Sequence, residues 1–157
     1  MPFLIDGYNL LRMIEKLYDN DITDARMCQI VARYLRRIKD TGQIIFDGIG
    51  PPDKTGMLGI MNLEVIFTGT NIDADTVIEE KIKTNTAPKR LSIVSSDIRI
   101  RKAARSRNAA DIRSDDFWNQ LDKQINKKRA IKEPPQKRLG LTESETEQWL
   151  DIFGLDH

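Results

Sequence analysis

The side chains of this 157-residue chain that are spaced to do chemistry are a few aspartates, one asparagine and a pair of serines. Asp6 closes the run FLID, and Asn9 follows it in D-G-Y-N. Asp47 follows QIIF, Asp97 follows LSIVSS, and Asp75 stands in the segment ADTVIEEKI. Carboxylates gathered in one place repel one another unless a cation lies between them. Oxygen-only donor sets suit hard divalent ions, and Mg²⁺ keeps several waters for substrate contact. Such a centre can activate water against a phosphodiester.

Residues absent from the chain exclude other chemistries. There is one cysteine, Cys28, and one histidine, His157 at the last position. A disulfide framework, a Cys/His zinc site, a Cys–His pair and a Ser–His–Asp triad all need more than that. Cys28 lies in a helical pattern as a reduced thiol. Chemistry must run on carboxylates, amides, hydroxyls and cations.

The elements that carry these residues alternate. Phe3–Ile5 reads as a short buried strand, followed by a helix from about Leu10 to Tyr18. Thr23 reads as an N-cap for a helix over Ala25–Lys39, whose Ile30, Val31, Tyr34, Leu35 and Ile38 keep the spacing of a buried face. Gly42 is expected to stop that helix. Gln43–Gly48, Leu63–Gly69 and Leu91–Asp97 read as strands, and the Gly/Pro-rich stretch after Gly48 as a loop. A helix from Asp73 to Lys83 opens on acids, and a basic helix runs to about Ser106. ADIRS reads as a fifth short strand, with Ser114 capping a helix through Ile125. Strands alternating with helices predict an α/β fold, a three-layer α/β/α domain around a mainly parallel sheet. That domain is assigned to residues 1–126. Residues 127–157 read as a basic, Pro-containing arm and a short helix, with Thr142 and Glu145 as a capping box before Trp149, Leu150 and Phe153.

In an open parallel sheet, the ends of these strands fall at one carboxyl edge, where such folds place ligands. Each acid also has a bland reading. Aspartate after a strand forms turns, and aspartate in a first helical turn favours the helix dipole. That account suits Asp73, and Asp47 beside Gly48 serves equally as turn former or site residue. For Asp6, Asp75 and Asp97 it must hold three times at one edge, so a shared site is the stronger reading. Three familiar carboxylate or phosphate sites fail on spacing. A haloacid-type phosphatase needs a second aspartate where Tyr8 stands. A receiver domain needs an acidic pair after the first strand and a lysine after the fifth. Gly7, Gly48 and Gly50 do not make a phosphate-cradling loop. Metal-dependent phosphodiester hydrolysis fits best.

The motifs LIDGYNLL, IIFDG, ADTVIEEKI and IVSSD, in that order, resemble those of the NYN domain, in its YacP-like branch, within the PIN-fold ribonucleases. The resemblance covers about the first three-quarters of the chain. It implies a PIN-like fold and a divalent-metal-dependent endoribonuclease. Matched motif by motif, the catalytic set is Asp6, Asn9, Asp75 and Asp97. Asp6, Asp75 and Asp97 would ligate Mg²⁺ or Mn²⁺, with Asp47 and Ser96 in support. Asn9 would orient Asp6 or a metal-bound water, since an amide donates and accepts without adding charge. Ser95 and Ser96 either hydrogen-bond in the site or cap the next helix, capping being the safer reading. Some NYN nucleases carry a further acid four residues past the S-D aspartate, where this chain has Arg101. An RNA-binding module with the same fold and little catalysis is the competing reading.

The implied partner is single-stranded RNA, with the ribosome or another RNA–protein complex as its setting. Arg99, Arg101, Lys102 and Arg105 fall close together on the basic helix, and the spacing predicts Arg101, Lys102 and Arg105 toward solvent with little acid to neutralise them. Tyr8 is a stacking candidate or a packed ring, and the arm from Lys127 to Arg138 is a phosphate contact or a solvated linker. Net charge is +1, with 39% hydrophobic and 31% charged residues, ordinary for a globular domain. No apolar run approaches the ~20 residues of a membrane span, so no membrane contact is expected. The N-terminus has no signal-peptide pattern, and a cytoplasmic location is the expectation.

Overall fold

The computed structural model describes residues 2–18 and 21–132, with side chains described through residue 126. Five strands, β1 (Phe3–Asp6), β2 (Gly42–Phe46), β3 (Leu63–Phe67), β4 (Ser92–Val94) and β5 (Ala110–Ile112), form one sheet in the order β3-β2-β1-β4-β5. Every pairing is parallel. Five α-helices, α1 (Gly7–Tyr18), α2 (Asp24–Arg37), α3 (Ala74–Thr84), α4 (Ile98–Ser106) and α5 (Ser114–Lys132), and a short 3₁₀ turn at Pro88–Arg90 complete the described fold. This is the expected α/β arrangement.

Strand alternation divides the apolar residues between two faces. Ile5, Ile44, Phe46 and Val94 join a large cluster with Leu10, Ile14, Leu35, Phe117 and Leu121, from α1, α2 and α5. Their sequence neighbours Leu4, Ile45 and Ile93 face the other way, onto Ile78, Ile82, Ile100 and Ala104 of α3 and α4. Both faces are covered, which explains why the strands are continuously apolar. Cys28 is buried in the first cluster, and burial, with Asp24 nearby, pushes its thiol up to about 12. It stays protonated and inert.

Three local expectations change. Gly42 does not stop α2; it is the first residue of β2. The helix ends at Arg37, and Lys39 turns the chain in the left-handed region (φ 60°). Helix α1 starts at Gly7 rather than near Leu10, with no loop after β1. Helix α5 runs to Lys132, beyond the predicted Ile125. The predicted helix carrying Trp149, Leu150 and Phe153 lies outside the described residues.

The immediate start of α1 depends on Gly7. A Cβ there would lie 2.5 Å from Cε1 of Phe46 and 2.9 Å from the Ile45 carbonyl oxygen. Phe46 is fully buried, stacked on Phe67 with ring centroids 5.4 Å apart and in edge contact with Tyr8 at 4.9 Å. The ring has little room to yield. Gly7→Ala should therefore lower stability by about 1–3 kcal/mol in urea unfolding, although alanine is the better helix former. An unchanged midpoint would show that Phe46 moves freely.

Candidate active site

The sheet order places a topological switch point between β1 and β4. From β1 the chain order runs outward to β2 and β3, and from β4 it runs the other way to β5. Ligands of open parallel sheets bind outside the carboxyl ends at such a point. Asp6 is the last residue of β1, and Ser95, Ser96 and Asp97 lead out of β4.

Asp6 is 7% exposed. Ser95, fully buried, donates its Oγ hydrogen to Asp6 Oδ2 at 3.0 Å and accepts from the Asp97 backbone N–H at 3.0 Å. A single hydroxyl thus ties the first-strand carboxylate to the backbone that carries the second. The Asn9 backbone N–H also donates to Asp6. Burial nevertheless dominates, and the charges of Asp75 and Asp97 add to it, so the Asp6 carboxyl is raised from 3.8 to about 6. The structure corrects the safer reading of Ser95 as a cap: Asp97 is the N-cap of α4, accepting from the Arg99 N–H at 2.8 Å.

Asn9 is tied to the other side of the switch point. Its Oδ1 accepts from the Ser96 N–H at 2.9 Å and the Ser114 hydroxyl at 2.6 Å. Ser96 Oγ in turn accepts from the Ser114 N–H at 3.1 Å. The Asn9 side chain therefore fastens the β4–α4 turn and the start of α5 to α1, and it is the Asn9 backbone that holds Asp6. Ser114 is fully buried and spends its hydroxyl on Asn9, not on capping its own helix. Sequence reasoning missed this role because a serine before a helical run reads as a cap.

On the third element, Asp73 caps α3, accepting from the Thr76 N–H at 2.8 Å. That is the bland role expected of it. Asp75 lies in the first turn, and its carboxyl is raised by partial burial, then by Asp97 and Asp73 and, more weakly, Asp47. Asp47 accepts from the Ala74 N–H, joining the end of β2 to the start of α3. Asp6, Asp75 and Asp97 are thus close enough to feel one another's charge. Among the described residues, however, no three acidic, cysteine or histidine side chains are gathered closely enough to enclose an ion unaided. The donor set, carboxylate oxygens alone, fits a hard cation in chemistry.

The basic helix differs most from expectation. Arg101 and Arg105 do not stand free: their Nε atoms reach the two oxygens of Asp111 on β5, at 3.0 and 2.7 Å. The Arg101 side chain is 21% exposed and Asp111 11%, while Arg105 is 61% exposed. Arg99 is ion-paired with Glu79 and donates to Thr76 Oγ1 at 3.3 Å. Lys102 is exposed, with no acidic partner among the described residues. Asp111 was invisible to sequence reasoning because nothing in a three-residue strand shows which helix its acid faces. Tyr8 is packed against Phe46.

Comparison with known proteins agrees with this fold. A parallel α/β domain with acids at its carboxyl edge defines the class, and the family follows from sequence. Residues 3–152 match the YacP-like NYN domain. The chain belongs to that family, one of PIN-like ribonucleases. It is similar to the crystal structure of Rae1 (YacP) from Bacillus subtilis, at 20% identity and TM-score 0.64, covering 98% of this chain and 92% of that one. A tryptophan-to-leucine variant of the same protein superposes with TM-score 0.60 at 21% identity, covering 98% of both chains. At such identity the likeness is one of fold. No curated protein sequence matches the chain. No helix among the described residues is long and apolar enough to cross a membrane.

Two predictions concern stability without added metal. A carboxyl raised to about 6 in the folded state binds its proton more tightly there than in the unfolded chain. Its contribution is complete below about pH 4 and is lost as pH rises through about 6. Asp6→Asn should therefore stabilise the chelated protein at pH 7 by about 2–3 kcal/mol, with the gain vanishing near pH 4. Urea unfolding at both values checks the sign. Separately, Arg101→Ala leaves the nearly buried Asp111 with one exposed partner and should cost about 1–3 kcal/mol. Arg105→Ala, at the exposed end, should cost less than about 1 kcal/mol.

Proposed function

We propose that the protein is a Mg²⁺- or Mn²⁺-dependent endoribonuclease, cutting single-stranded RNA at the carboxyl edge between β1 and β4. The observation that supports this reading is that Asp6 and Asp97 stand together at the switch point, joined through Ser95, with Asp75 near enough for its charge to act on Asp6. Membership of a ribonuclease family supplies the substrate class.

A divalent ion bound here would supply Lewis acidity, to activate water and to steady charge on the leaving oxygen. Asp6, Asp75 and Asp97 would hold it, directly or through water. Asp6 is pre-oriented by the Ser95 hydroxyl and the Asn9 backbone N–H. Asp97 gives Oδ1 to the Arg99 N–H, which fixes the carboxylate and leaves its other oxygen for the ion. Asn9 and Ser96 keep the two strand ends in register through Ser114. Asp47 acts one step back, holding the first turn of α3, and with it Asp75, in place. These hydrogen bonds would hold the carboxylates oriented before substrate arrives, and such pre-positioning lowers a barrier.

Asp97→Asn is the informative variant, because asparagine caps helices as well as aspartate does. With labelled circular RNA and Mn²⁺, the wild type should linearise the circle, chelator should stop it, and Asp97→Asn and Asp75→Asn should each cut at least about 100-fold more slowly while unfolding normally. Wild-type rates in both variants would remove the proposed site. Binding without metal-dependent cutting by the wild type would make the protein an RNA-binding module instead.

A further inference from the structure

Helices α3 and α4 lie side by side on one face of the sheet, and both begin at the carboxyl edge. Between them is an open cleft of about 800 Å³. Its upper end is lined by Ile98 and Arg99, immediately after Asp97, and its lower end by Lys83 and Arg107. From Ile98 to Arg107 the helix rises about 13 Å, so the cleft leads away from the acidic site along α4. Lys83 and Lys102 are exposed on its walls and have no acidic partner among the described residues. Arg107 donates to the Asn85 carbonyl at 2.6 Å and keeps its charge. Glu79 is the sole acid of the lining and is ion-paired with Arg99. Between these cations the wall is apolar, with Ile98 65% exposed beside Ala103 and Ile82.

Cations on the rim with apolar surface between them match a polyanion whose hydrophobic faces are free. We propose that the α3–α4 cleft is the track for single-stranded RNA flanking the cut, with Lys83, Lys102 and Arg107 on its phosphates and Ile98 beneath a base. The proposal rests on the ribonuclease reading for its substrate. It moves the contact from the Arg101/Arg105 side of α4, where Asp111 neutralises the cations, to the opposite side. Lys83 and Arg107 join the interface, though neither stands in the basic run after Asp97. A single strand suits the cleft because its bases can rest on apolar surface, whereas a duplex hides them.

The test is binding of a fluorescent, mixed-sequence 20-nucleotide RNA in chelator, across a salt series, so that no turnover occurs. Lys83→Ala/Lys102→Ala/Arg107→Ala should lose at least about tenfold in affinity at low salt. Its log–log salt slope should flatten by about 2, near 0.7 per phosphate contact on a single strand. Lys16→Ala/Arg36→Ala, on exposed positions of α1 and α2 across the sheet, should stay within twofold of wild type. If the triple variant fails to fold, Lys83→Glu/Lys102→Glu retains the Arg107–Asn85 bond and reads the same cleft. A folded cleft variant with wild-type affinity and slope overturns the proposal. So does an equal loss in the control, equal binding of a duplex through the same residues, or a wild type that binds no RNA. Cleft-dependent binding by a wild type that never cuts RNA leaves the track standing and removes the nuclease reading alone.

Discussion

A carboxylate held at 7% exposure at the end of the first strand is the constraint around which the rest of this structure is arranged. Burying a charge in a protein interior is costly unless hydrogen bonds compensate. Here compensation comes from one hydroxyl and one backbone N–H, and it is incomplete, because the Asp6 carboxyl remains raised to about 6. Two further carboxylates raise it more. A cation placed among these carboxylates would relieve that repulsion, which is the physical support for the proposed metal.

Holding Asp6 in that position sets demands on its neighbours. Gly7 permits α1 to start at once against Phe46. Asn9, in the first helical turn, spends its side chain on Ser96 and Ser114, so that α1, the β4–α4 turn and α5 share one polar knot. Helix α4 has two separate jobs. One side presents Arg101 and Arg105 to Asp111 and fixes the helix on β5; the other presents Lys102 to the α3–α4 cleft. A basic helix is thus not one surface, and a count of its cations overstates the charge open to a ligand.

Much of this was legible in the sequence, for identifiable reasons. Strand order along the chain, the two-face burial of FLI, QIIF and SIV, and the loop between Phe46 and Leu63 follow from apolar runs and Gly/Pro punctuation, which act locally. The placing of Asp6, Asp75 and Asp97 near one edge was readable because the carboxyl edge of a parallel sheet is one place in space although three places in sequence. Other features depend on partners distant in the chain. Ser95 reaches Asp6 across 89 residues and Ser114 reaches Asn9 across 105, and no spacing rule reports such pairs. The Asp111 clamp is local, six and ten residues from its two arginines, and hid because a three-residue strand does not show which helix its acid faces. The helix stop at Gly42 failed because Lys39 adopts the left-handed turn that glycine usually supplies.

The central claim is that Asp6, Asp75 and Asp97 together hold the catalytic ion. A crystal grown with Mn²⁺ and measured at the manganese absorption edge tests it most directly. The account predicts an anomalous peak at the carboxyl edge between β1 and β4, within direct or water-bridged reach of all three carboxylates, and its loss in an Asp97→Asn crystal. A fully occupied manganese site elsewhere, with this edge bare even in the presence of a non-cleavable RNA, would contradict it.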